Sequence, residues 1–253
     1  MTERAFFDIL VYGWFGLAAV VFVLLFFISA PYGRHSRAGW GPTLPNRLGW
    51  VLMEAPSPIV FSVCFLLGDN FSPSAFIFLG LWLLHYVYRT AIYPFRLRGG
   101  RDKRMPMLVM LMAMVFNSAN AYLNGRWLFE FAEPLPASWL TDPRFLIGIA
   151  LFIAGYAINH HADHILRTLR KPGETGYKIP RGGFYRFVSS PNYFGEVVQW
   201  SGWALLTWSL PGAAFALWTF ANLAPRAVSH HKWYRETFPD YPASRRAFLP
   251  FLW

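Results

Sequence analysis

A glutamate stands where a glutamate is costly. Glu54 lies inside residues 48–68, a stretch that otherwise carries no charge. On a helix starting at Leu48 it falls roughly 10 Å in. An ionisable side chain at that depth marks a functional site, or a structural hydrogen bond between helices. Burial of an uncompensated carboxyl favours its protonated form, which can donate a hydrogen bond. Pro56 and Pro58 follow closely, and two missing N–H groups bend or break a helix beside the carboxyl. A second candidate is Tyr86, in His85-Tyr86-Val87-Tyr88-Arg89-Thr90. Taken alone, that run reads as an aromatic belt at a span's end.

Three polar sets have helical spacing. Asn159, Asp163 and Arg170 are four and seven residues apart, Asn192 and Glu196 are four apart, and Arg226, His230 and Tyr234 recur at four. Residues so spaced share a helix face. Each set alone reads as a solvated helix end; three at one membrane level point to a shared polar pocket. Ser190-Pro191-Asn192 is a helix-start signal. The free N–H groups of such a start suit an anion, and with Arg170 and Arg226 they suit a phosphate-bearing ligand. The chain has neither a GxGxxG after a strand nor a GxxxxGK[ST], so a nucleotide would need a helical, non-Rossmann pocket. In His160-His161 and His230-His231 the neighbours point to different helix faces, so no metal site is expected.

These residues need apolar elements to hold them. Charged residues are 14% of the 253, against roughly 25% in soluble proteins. Hydrophobic residues make up 55% and aromatics 19%. That composition excludes disorder and leaves too little polar surface for a soluble globule. Nucleic-acid binding would account for the net charge of +10 but not for the missing polar surface. Cys64 is the single cysteine, in an apolar run, and reads as a small buried hydrophobe. The N-terminus lacks the basic start of a cleaved signal.

Apolar stretches run over residues 9–33, 48–68, 70–88, 105–125, 145–162 and 197–225. The last is long for one span, and Ser209-Leu210-Pro211-Gly212 in its middle predicts a turn between two helices. With seven spans and the N-terminus outside, all of the 23 basic residues except Arg4, Arg126 and Arg144 lie inside. Six spans would move the basic tail outside and weaken that asymmetry. The expected fold is therefore all-α, a multi-pass membrane protein of seven transmembrane helices with its C-terminus in the cytoplasm. In that topology Glu54 and Tyr86 share the cytoplasmic half, where they can meet.

The chain resembles the steroid 5α-reductase family of membrane oxidoreductases. The resemblance rests on Asn159-His160-His161-Ala162-Asp163-His164-Ile165-Leu166-Arg167, Arg170-Lys171-Pro172-Gly173-Glu174 and Tyr177-Lys178-Ile179-Pro180-Arg181-Gly182-Gly183-Phe184. It continues through Pro191-Asn192-Tyr193-Phe194-Gly195-Glu196, Thr207-Trp208-Ser209-Leu210-Pro211, Asp240-Tyr241-Pro242 and Ser244-Arg245-Arg246. Earlier in the chain it includes Tyr32-Gly33-Arg34-His35, Glu54 before Pro56-Ser57, and His85-Tyr86 before Arg89-Thr90. Met53 and Ser229 depart from the family pattern, where relatives carry a polar amide and a third histidine.

The resemblance implies one transmembrane domain over 1–253, with 1–144 forming the substrate side and 145–253 most of an NADPH pocket facing the cytoplasm. It assigns the cofactor to Asn159, Asp163, Arg170, Tyr177, Asn192, Glu196, Arg226, His230 and Tyr234, with Arg34 and Arg98 as further basic positions. It assigns Glu54 and Tyr86 to the 3-keto oxygen of a steroid whose C4–C5 double bond is reduced. The implied partners are an apolar enone and the bilayer, with no nucleic acid, metal or obligate protein partner. Rival readings are a reductase of another conjugated lipid (an enoyl thioester or polyprenol-type compound), a membrane S-adenosylmethionine-dependent methyltransferase, and a non-catalytic lipid carrier.

Overall fold

A computed structural model describes residues 1–28, 39–97, 103–171, 174 and 176–253. Nine α-helices carry the described chain: α1 (Glu3–Phe27), α2 (Asn46–Glu54), α3 (Pro56–Leu67), α4 (Pro73–Val87), α5 (Tyr93–Arg96), α6 (Met107–Arg126), α7 (Pro143–Thr168), α8 (Pro191–Thr207) and α9 (Leu210–Thr237). Among the described residues strand is confined to one antiparallel pair, β1 (Thr43–Pro45) and β2 (Arg104–Pro106). Among the described residues five helical segments are long and apolar enough to cross a bilayer: Glu3–Phe27, Asn46–Leu67, Pro73–Arg96, Met107–Phe131 and Pro143–Thr168. The chain divides into two compact units.

Unit 1 takes Met1–Gly13, Ala30–Leu146 and Thr207–Gly212. Its strand pair ties the starts of α2 and α6 together. Arg104 donates from Nε to Thr43 Oγ1 and from its terminal nitrogen to Thr43 O, both at 2.7 Å. Asn46 N–H reaches Lys103 O at 2.9 Å, and Met107 N–H reaches Pro42 O at 2.9 Å. Two helices launched at one level stay in register. Glu54 then arrives about 12 Å along α2 and Asn117 about 15 Å along α6.

The break expected beside Glu54 is narrow. Only Ala55 separates α2 from α3, and it keeps helical dihedrals (φ −56°, ψ −36°). Pro56 takes the first position of α3, where a missing N–H costs least. Further along, α3 and α6 approach closely: a Cβ on Gly125 would lie 2.7 Å from Cys64 Cβ. Phe61 stacks on Trp82 of α4, with centroids 4.3 Å apart and planes at 8°. After α4 the helix widens into a π turn, Tyr88–Ile92. Pro94 explains it, because its ring would clash with the Thr90 carbonyl in a regular helix. The N-terminal part of α1 is held by Arg126, whose guanidinium donates to Glu3 at 2.8 and 2.9 Å, and by Phe7 stacked on Trp127.

Unit 2 takes Trp14–Ser29, Ile147–Leu206 and Ala213–Trp253. Its α7 and α8 run antiparallel with backbones nearly touching. Gly148 and Gly155 on α7 face Gly202 and Gly195 on α8. A Cβ on Gly148 would lie 2.6 Å from Leu206 N, and one on Gly195 would lie 2.6 Å from Asn159 N. Small residues permit such contact where the hydrophobic effect cannot drive helices together. The remainder of α1 joins α9 through Trp218, which donates to Trp14 O at 2.8 Å.

The last apolar stretch does form two helices, but the turn is displaced from the expected one. α8 ends at Thr207, Trp208 turns with φ +46°, and α9 starts at Leu210. Ser209 caps it by accepting from Gly212 N–H at 3.1 Å. Pro211 and Gly212 therefore lie in the first helical turn, where proline is tolerated.

Gly155→Val forces the α7 and α8 backbones apart. It is expected to lower stability by about 1–3 kcal/mol, read as a fall in the thermal midpoint of detergent-solubilised protein. An unchanged midpoint would contradict the glycine contact.

Candidate functional site

Each unit carries a buried polar centre that includes expected site residues. In unit 1 Glu54 is 6% exposed. Arg89, from the π turn, donates to its Oε1 at 3.0 Å. Asn117 of α6 donates from Nδ2 to Met53 O at 2.6 Å, with Glu54 Oε2 at 3.5 Å. The Arg89 guanidinium lies 4.7 Å from the ring centres of both Trp50 and Tyr93. The carboxyl is thus compensated rather than alone, unlike the lone buried group that composition suggested.

Tyr86 is also buried, with its ring 5.0 Å from Trp82 and 4.9 Å from His85. It precedes Arg89 by three residues, so the two share a helix face. Arg89 and Asn117 are the residues that sequence reasoning missed here. In the sequence Arg89 belongs to a run typical of an aromatic belt, and Asn117 sits in an apolar stretch with no spacing that ties it to Glu54.

In unit 2 the glycine contact sets Asn159 against the start of α8. Asn159 donates from Nδ2 to Asn192 O at 3.0 Å and lies 3.4 Å from Glu196 Oε2. Asn192 in turn donates to Asp163 Oδ1 at 3.2 Å. Two of the expected sets therefore interlock as a net of two amides and two carboxylates. As expected, α8 begins at Pro191, and Ser190 O accepts from Tyr193 and Phe194 N–H, each at 3.1 Å.

Two members of the third set, Arg226 and His230, meet at Tyr193. Arg226 donates to Tyr193 OH at 3.2 Å and to Asn222 Oδ1 at 3.3 Å. His230 lies with its ring 5.4 Å from that of Tyr193 and with Nδ1 3.4 Å from Ser190 Oγ. Tyr234 stacks on Tyr241, with centroids 5.2 Å apart and planes at 9°.

Arg170 departs from its expected place. α7 ends at Thr168, with Pro172 four residues further in sequence, so Arg170 is not on the helix face of Asn159 and Asp163. It donates instead to Gly176 O at 2.9 Å. Tyr177 is 49% exposed, edge-on to Trp233 at 5.0 Å. Arg34 and Arg98 lie outside the described residues.

The chemistry of unit 2 suits a phosphorylated, hydroxyl-rich ligand. The Arg226 guanidinium favours anions, and the N-terminal end of α8 adds the positive pole of its dipole. Carboxylates and amide oxygens accept from hydroxyls and carboxamides. Unit 1 offers a buried carboxyl and a buried phenol, each able to hydrogen-bond a ketone or hydroxyl. Buried titratable groups, together with helices long and apolar enough to cross a bilayer, mark a candidate site in an integral membrane protein.

The comparisons with known proteins give its family. The family described as 3-oxo-5-alpha-steroid 4-dehydrogenase matches residues 103–253. The 3-oxo-5-alpha-steroid 4-dehydrogenase 1 of Bos taurus is 46% identical over 258 residues, covering 100% of this chain and 99% of its own. The human protein of that name is 46% identical over 227 residues, covering 88% and 86%. The steroid 5-alpha-reductase DET2 of Gossypium hirsutum is 43% identical over 241 residues, covering 94% and 93%. The chain belongs to the steroid 5α-reductase family, and it is a membrane oxidoreductase acting on a steroid carbon–carbon double bond.

Arg89→Met leaves the Glu54 carboxyl buried without its cation. A loss of about 3 kcal/mol is expected, with much of it restored when Glu54→Gln is added. Chemical denaturation in detergent reads both; wild-type stability in the single variant would contradict the ion pair.

Proposed function

We propose that the protein reduces the C4–C5 double bond of 3-oxo-4-ene steroids with NADPH. The observation that carries the reading is the buried Glu54 carboxyl, held by Arg89 of the π turn and flanked by Asn117 of α6. Residues 1–144 supply the substrate side and 145–253 most of the cofactor pocket. The cofactor groups are Asn159, Asp163, Arg170, Tyr177, Asn192, Glu196, Arg226, His230 and Tyr234. α8 and α9 complete seven spans, with the N-terminus outside and the cofactor side in the cytoplasm. The distribution of basic residues supports that orientation.

Tyr86 donates a hydrogen bond to the 3-keto oxygen. Glu54 stands at the same oxygen through Oε2, the oxygen that Arg89 leaves, and completes the pair as a donor once a proton bridges Oε2 and the keto oxygen. Asn117 steadies that side of the carboxyl. The Arg89 charge behind Oε1 adds positive potential where enolate charge collects. A phenol with a neutral carboxylic acid is an effective pair of donors to an enolate in a dry site. NADPH, when bound, supplies the hydride for C5. Water supplies the proton for C4, and the enone's π electrons form the new C4–H bond. Arg226 and the start of α8 hold phosphate, while Asp163 and Glu196 accept from hydroxyl and amide groups.

Glu54→Gln and Tyr86→Phe are each expected to lower turnover by about 10²–10³, with NADPH affinity nearly unchanged. Arg226→Ala and Asn192→Ala are expected to weaken NADPH binding instead. Steady-state assays with cofactor titration separate the two groups. Wild-type turnover in the Glu54 and Tyr86 variants would refute their role.

A further inference from the structure

We propose that Ser189 is a positioning residue for the cofactor pocket, its hydroxyl joining three segments of unit 2 into one frame. The proposal rests on the reading of unit 2 as the NADPH site. Ser189 is 3% exposed. Its Oγ lies 2.6 Å from His231 Nδ1, 2.6 Å from Tyr241 OH and 3.1 Å from Arg246 O. A hydroxyl has one proton to donate and two lone pairs, so three partners saturate it. The proton goes to Arg246 O, which can only accept. Tyr241 O–H and a neutral His231 Nδ1–H then donate to Ser189. Burial, followed by the charges of Arg235, Arg245 and Arg246, holds the His231 imidazole below its ordinary pKa and so neutral.

Ser189 itself and two of its three partners adjoin cofactor candidates. Ser189 leads through Ser190 into Asn192 at the start of α8. His231 follows His230, whose ring faces Tyr193. Tyr241 stacks on Tyr234. The segment after α9 is fixed independently at both ends of the junction. Arg245 is buried and donates to Tyr241 OH at 3.4 Å and to Pro180 O at 3.1 Å. Phe248 is fully buried against Ala224 and Ala227. Two backbone bonds of 2.8 Å, Ser189 N–H to Arg246 O and Arg246 N–H to Phe187 O, complete the tie. The C-terminal segment thereby sets the start of α8 against α9, and Ser189 is the point where all three meet.

The test uses the full chain in detergent micelles, with NADPH affinity and kcat at saturating NADPH measured separately. Ser189→Ala is expected to weaken NADPH binding about tenfold while keeping kcat within about twofold of wild type. Ser189→Thr, which retains the hydroxyl, is expected to restore affinity. Tyr241→Phe removes one bond only, is expected to act in the same direction, and decides the matter if Ser189→Ala does not fold. Asn192→Ala is measured alongside. Weakened binding in Asn192→Ala with wild-type binding in the Ser189 and Tyr241 variants would overturn this proposal alone. Wild-type binding in all of them would overturn the pocket itself. A kcat loss in Ser189→Ala at unchanged affinity would also overturn the positioning role.

Discussion

Hydrocarbon offers no hydrogen bonds, so a polar group carried into a membrane helix must find its partner in the protein. That constraint organises the Glu54 centre, and burial imposes the same need on the amides and carboxylates of α7 and α8. Glu54 is paired by Arg89 and flanked by Asn117. Asp163 and Glu196 are met by Asn192 and Asn159. Each partner comes from another helix, so satisfying the polar group also fixes the packing. The same bonds hold the carboxyl of Glu54 and those of Asp163 and Glu196 in fixed places.

Two local devices make those pairings geometrically possible. In unit 1 the short β1–β2 ladder starts α2 and α6 at one level, and a π turn imposed by Pro94 presents Arg89. In unit 2, glycines seven residues apart on α7 and on α8 bring two backbones into contact. Asn159 then faces the first turn of α8, where side chains of ordinary size at Gly155 and Gly195 would hold it off. Neither device does chemistry. Both decide where the chemical groups stand.

Much of this was legible in the sequence because hydropathy and helix caps are local properties. The apolar stretches, the interruption after Glu54 and the helix start at Ser190-Pro191 all follow from neighbours in the chain. The polar sets of α7, α8 and α9 were visible from their spacing. What stayed hidden depends on register between distant segments. Arg89 reaches Glu54 across 35 residues, and Ser189 reaches Arg246 across 57. Arg170 was misplaced because a spacing of seven says nothing about where a helix stops. The Pro211-Gly212 pair misled for the opposite reason, since Ser209 caps a helix that simply begins there. The glycine spacing was a readable signal, but a hydropathy sum does not register it.

Family membership and the Glu54 centre converge on one reaction, the reduction of a conjugated steroid ketone. The most direct measurement is NADPH oxidation by the purified protein with a 3-oxo-4-ene steroid, followed by analysis of the product at C5. The account predicts cofactor consumption matched one to one by a 5α-reduced 3-oxosteroid, with the ketone intact and no turnover of the corresponding 3-deoxy-4-ene. Reduction of the ketone in place of the double bond, or equal turnover of the substrate lacking the 3-keto oxygen, would contradict it.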